Sequence, residues 1–118
     1  SAARADYAAA AVAVLTGEGH AGKVYELAGD TAYTLAELAA EVSRQTGRQI
    51  GYTNLPQAEY RAMLVTVGLP VPIADMLADS DAGAARGGLF DDSRQLSALI
   101  GRPTTPLSAL VEKALKKA

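Results

Sequence analysis

The sequence predicts a mostly helical α+β chain with two short strands, and three observations predict it. Apolar residues recur at helical spacing over most of the length. Two brief runs of β-forming residues, 24–27 and 50–55, interrupt that spacing. Glycine or proline stands at nearly every change from one pattern to the other. At 118 residues the chain has the length of a single domain spanning 1–118. Folding at this size buries roughly two-thirds of the unfolded surface, enough for a modest core.

The first helix covers 6–15, with Tyr7, Ala11, Val14 and Leu15 as its apolar residues and Asp6 as a cap. Gly17, Gly19 and Gly22 then end the helical pattern ahead of the run Val24-Tyr25-Glu26-Leu27, the first predicted strand. Thr34 and Glu37 form a capping-box pair, in which each side chain satisfies a free N–H at the helix start. Leu35, Leu38, Ala39 and Val42 follow as the stripe of that helix, and Gly47 ends it. The second strand is predicted over 50–55, and Pro56 opens the next helix, which carries Tyr60, Met63, Leu64 and Val67. Gly68 and Pro70 stop it, and a short helix through Ile73, Met76 and Leu77 comes next. Residues 79–88 are small, acidic and glycine-rich, a pattern that suits helix or loop, and Phe90 borders a brief extended segment. Asp91, Asp92 or Ser93 caps a helix with Leu96, Leu99 and Ile100 that ends at Gly101. Thr105-Pro106 starts the last helix, whose Leu107, Leu110, Val111, Ala114 and Leu115 share a face. Its late lysines, Lys113, Lys116 and Lys117, complement the negative end of the helix dipole.

Composition narrows the function classes. Hydrophobic residues are 49% of the chain and charged ones 20%, but aromatics only 5%. Much of the apolar share is alanine, which buries little area, so the expected core is thin and suited to leaning on another surface. The net charge is −2 with both signs interspersed, which argues against a nucleic-acid partner. Cysteine is absent, removing disulfides, thiolate metal sites and cysteine nucleophiles, in keeping with a cytoplasmic location. No apolar run approaches the roughly 20 residues of a membrane span. The chain starts at Ser1 without an initiator methionine, just ahead of a helix, which suits a truncated or processed product.

Several motifs look chemical. Gly17-Glu18-Gly19-His20-Ala21-Gly22 matches the dinucleotide fingerprint G-x-G-x-x-G letter for letter. That fingerprint works when the glycines follow a strand and open a helix, so that the pyrophosphate meets the helix N-terminus. Here a helix precedes them and a strand follows, so a helix-to-strand turn is expected. Asp79-Ser80-Asp81-Ala82-Gly83 has the start of a calcium loop, but the twelfth position, which needs glutamate, is Phe90. His20 is the single histidine, so no metal site is expected. The stripe Tyr60, Met63, Leu64, Val67 with Ile73 and Met76 reads either as helical core packing or as the lining of an apolar pocket.

In order along the chain, four stretches resemble the C-terminal region of the atypical short-chain dehydrogenase/reductase superfamily. They are residues 1–8 (Ser1-Ala2-Ala3-Arg4-Ala5-Asp6-Tyr7-Ala8), 23–30 leading into Thr34-Leu35-Ala36-Glu37-Leu38, 79–93 with Gly87-Gly88-Leu89-Phe90, and 99–107 with Gly101-Arg102-Pro103. The likeness is to the NmrA-like branch that contains the type 2 NAD(P)H:quinone oxidoreductases. It implies the C-terminal portion of an NAD(P)-binding Rossmann-fold protein lacking its nucleotide-binding lobe, with residues 24–27 added to that lobe's sheet edge. It further implies a parent enzyme that holds NADP or NAD in the N-terminal lobe and passes hydride to a quinone-like acceptor. The isolated chain is then expected to bind no cofactor and to be inactive. Tyr60, Met63, Met76 and Phe90 are the substrate-binding candidates, and Arg4 and Asp6 belong near the lobe junction. The Tyr-x-x-x-Lys pair of classical short-chain dehydrogenases is absent, since Ala11, Gly29, Glu37, Pro56 and Leu64 stand four residues after the five tyrosines. A non-catalytic NmrA-like redox or nucleotide sensor, or a protein-interaction module, is the alternative. A third reading is a free-standing α+β protein that dimerises through its apolar face.

Overall fold

A computed structural model describes residues 1–117. The described elements are helices α1 (Arg4–Thr16), α2 (Leu35–Thr46), α3 (Gln57–Thr66), α4 (Val71–Ala85), α5 (Gln95–Ile100) and α6 (Leu107–Lys117). They form two compact units, one built from Ser1–Tyr52 together with the chain from Asp91 onward, the other from Thr53–Phe90.

The first unit pairs α1 with α5 and α2 with α6. Its most buried apolar residues are Ala3, Ala10, Leu96 and Val111, a core as thin as an alanine-rich composition implies. The predicted α1 stripe is displaced. Ala3, Asp6 and Ala10 line the buried side, whereas Leu15 is 83% exposed and Ala11 and Val12 also face out. An alanine-rich helix carries little apolar asymmetry, so its periodicity is a weak guide to which side is buried. Asp6 does not cap this helix either, because Ala3 holds the N-cap position.

The capping box of α2 forms as expected. Glu37 N–H donates to Thr34 Oγ1 at 3.1 Å, and Thr34 N–H donates to Glu37 Oε2 at 2.6 Å. Gly47 ends α2 with φ 67°, in the left-handed region that glycine enters without a steric penalty. Before α5 the expected caps are not used. Arg94 occupies the N-cap in the left-handed region (φ 57°) with no side-chain cap, while Asp91 accepts from the backbone N–H and hydroxyl of Ser93 in a local turn.

Neither predicted strand is seen among the described residues, so the α+β assignment reduces to helices joined by extended segments. A strand exists only as one side of a ladder, and neither run meets another. Side chains answer their backbone groups in place of a sheet. Glu26 N–H donates to Gln95 Oε1 at 2.9 Å, and the Leu27 carbonyl accepts from the Tyr7 hydroxyl at 3.3 Å. Ile50 N–H donates to Ser43 Oγ at 2.9 Å, which ties the second run to the last turn of α2.

The second unit is an antiparallel helix hairpin. Gly68, at φ 100°, turns the chain after α3, and the Leu69 N–H reaches back to the Leu64 carbonyl at 3.1 Å. Helix α4 is longer than the sequence pattern suggests, because it continues through residues 79–85. The calcium-loop look-alike is therefore helical backbone. Its buried residues are Ala74 and Ala78, opposite Leu64 of α3, while Ile73 and Met76 are exposed. Small residues at the contact let the two helix axes approach, so alanines and not the bulky stripe face the partner helix.

Candidate functional site

The densest polar constellation lies in the first unit, around a carboxylate. Asp6 is fully buried. Its Oδ1 accepts from Arg102 Nη2 at 2.7 Å and Thr105 Oγ1 at 2.9 Å, and its Oδ2 accepts from Thr105 N–H at 2.7 Å. Burial alone pushes the carboxyl pKa up, but these hydrogen bonds and the guanidinium charge outweigh it, leaving Asp6 below the usual carboxylate range. Asp30 holds the neighbouring residue. Its Oδ2 accepts from Thr104 N–H at 3.0 Å, and its own N–H donates to Thr104 Oγ1 at 2.8 Å. The Thr104 backbone N–H is the main cause that draws the Asp30 pKa down.

Two carboxylates thus clamp the segment 102–105 onto the start of α1 and the loop at residue 30. Both oxygens of Asp6 are met by fixed donors, which suits holding and not proton transfer, whereas Asp30 Oδ1 is buried without a hydrogen-bond partner. Sequence periodicity missed this clamp, since the partners lie 74 to 99 positions apart. The signal was present in another form. Asp6, Tyr7, Leu27, Asp30, Arg102 and Thr105 all fall in stretches 1–8, 23–30 and 99–107, three of the four that carry the family resemblance, and in space those three bond to one another.

The glycine-rich segment 17–22 is a turn that follows α1 and is not followed by a helix until residue 35. His20 Nδ1 lies 2.6 Å from the Tyr25 hydroxyl, with the rings edge to face at 5.8 Å. A Cβ on Gly17 would stand 2.9 Å from His20 Nε2 and 2.8 Å from the Ala13 carbonyl. Gly17 therefore serves local packing of the imidazole on the helix end.

All four sequence-predicted site residues fall in the hairpin unit, but on different sides of it. Tyr60 is half-buried on α3, where burial and then the Asp81 carboxylate on α4 raise its hydroxyl pKa. Met63 stands on the same stripe of α3, 39% exposed. Met76, 55% exposed, stands about 200° around α4 from Ala74 at the helical repeat, so it points away from the α3 contact. Phe90 follows a glycine turn in which Gly88 N–H reaches the Gly83 carbonyl at 3.0 Å, and it is 64% exposed. Val67, Val71, Ile73 and Leu89 add to the exposed apolar surface of this unit. Tyr60 and Met63 are neighbours, then, while Met76 and Phe90 reach the surface elsewhere. Arg4 is exposed at the start of α1, two residues before the buried Asp6.

Hollows occur in the first unit among the described residues. One is lined by Arg44, Gln45, Ser108, Ala109 and Glu112 between α2 and α6, and another by Asp30, Arg94, Ser97 and Arg102 among others. Neither includes a sequence-predicted substrate residue. No group of three or more His, Asp or Glu side chains is placed to hold a metal ion among the described residues.

No family model matches the chain. Curated and solved proteins do. The chain is 62% identical over 111 residues to quinone oxidoreductase 2 of Escherichia coli (strain K12), covering 94% of this chain and 39% of that protein. The crystal structure of the Escherichia coli NADPH-dependent quinone oxidoreductase QOR2 complexed with NADPH superposes with a TM-score of 0.94 at 60% identity, over 98% of this chain and 41% of that one. Triphenylmethane reductase of Citrobacter sp. superposes at 0.89 with 34% identity, over 98% and 40%. With this helical fold and these partners, the chain matches the C-terminal part of NAD(P)-binding reductases. Within that class its likeness is to quinone oxidoreductase 2 and to NmrA-like NAD(P)-dependent reductases. The chain spans 34–39% of the length of the curated relatives it matches.

Proposed function

We propose that this chain is the substrate-side domain of an NAD(P)H-dependent oxidoreductase that transfers hydride to a quinone-like acceptor, and that it is inactive in isolation. The observation that carries the reading is the likeness, over nearly the whole chain, to a quinone oxidoreductase whose structure contains NADPH. In this reading the parent protein holds NADP or NAD in an N-terminal Rossmann lobe, and the present chain shapes the acceptor site. Hydride transfer depends on a cofactor fixed beside the acceptor. The chain's one nucleotide-like motif is a turn that no helix directly follows, which supports assigning no cofactor to the isolated chain.

The exposed apolar surface of the α3–α4 hairpin is the proposed acceptor side, with Tyr60 and Met63 as its paired members and Met76 and Phe90 as further candidates. Thioether and aromatic groups suit a flat, polarisable acceptor. The extended residues 24–27, with Val24 85% exposed, are the proposed addition to the edge of the missing lobe's sheet. No described helix is long and apolar enough to cross a membrane, and a cytoplasmic setting belongs to the same proposal.

Two measurements test it. The complete protein, assayed for NADPH oxidation with a benzoquinone, is expected to show acceptor-dependent turnover; NADPH binding without turnover would favour a sensor. The isolated chain, titrated with NADPH by calorimetry, is expected to show no specific binding, and tight binding would overturn the division of labour.

A further inference from the structure

No further inference is drawn: the strongest candidate, the exposed apolar face of the α3–α4 hairpin with Leu89 and Phe90 beside it, belongs to the site already proposed, and nothing in the structure shows what covers it.

Discussion

Asp6 is the residue on which the first unit turns. It places a carboxylate in a core otherwise made of alanine, leucine and valine, and that is tolerable only because Arg102 and Thr105 meet it with three hydrogen bonds. Asp6→Ala would leave the Thr105 N–H and hydroxyl without their acceptor, at an expected cost of about 2–4 kcal/mol in urea unfolding. Because the folded pKa of Asp6 lies below its ordinary value, its contribution is fully present above pH ~4. It is lost as pH falls through the lower folded value, since the unfolded chain then binds the proton more readily. Asp30 adds a dependence of the same sign. Asp6→Asn should therefore flatten the acid limb of the stability curve, and an unchanged limb would show that other groups set it. At Gly29 the constraint is steric. A Cβ there would collide with the Ser1 carbonyl oxygen. Gly29→Ala is expected to lower the thermal midpoint by several degrees, because backbone and not a flexible side chain must give way.

Among the elements, α2 and α4 show opposite relations between sequence and structure. Helix α2 is legible because its signals are local: the reciprocal bonds of Thr34 and Glu37 at one end, a left-handed Gly47 at the other. Thr34→Ala is expected to cost about 1 kcal/mol, measurable by chemical denaturation, since it removes the acceptor for the Glu37 N–H. On the same helix, Arg44 and Gln45 draw the Glu41 pKa down to about 2. Helix α4 resists reading because its contact side is Ala74 and Ala78 while its bulky residues face out. Ala78→Leu is therefore expected to destabilise the hairpin by roughly 1–3 kcal/mol through overpacking. Met76→Ala should leave stability nearly unchanged, because that side chain makes no part of the α3 contact. If thermal unfolding ranked the two the other way, the assignment of the faces would be wrong.

At the scale of the whole molecule, the exposed apolar side chains outnumber the fully buried ones among the described residues, and many of the exposed ones are the larger. Where such side chains form a contiguous patch, as on the α3–α4 hairpin in the proposed reading, they mark a contact surface. The proposed use is a partner lobe and an acceptor; self-association is the expected outcome when the chain is alone. Sedimentation of the isolated chain should show concentration-dependent oligomers, and a compact monomer with a single cooperative unfolding transition would count against both the missing lobe and the dimer. In the complete protein, Tyr60→Ala and Met63→Ala are expected to raise the acceptor KM several-fold with the NADPH KM unchanged. An effect on NADPH alone would place these residues elsewhere.

Helix count, the capping box of α2 and the glycine breaks were set by the sequence itself, since propensity, capping boxes and glycine stops act within a few residues. The caps expected for α1 and α5 were not used. The resemblance was legible for a different reason: three of the stretches that carry it, 1–8, 23–30 and 99–107, are joined by hydrogen bonds in the folded chain. Two matters were decided only in three dimensions. One is the absence of strands among the described residues, because residues 24–27 and 50–55 have strand chemistry but no ladder to join. The other is the clamp of Asp6 and Asp30 on segment 102–105, because a buried carboxylate is stable only where distant donors converge on it, and no local pattern records that convergence.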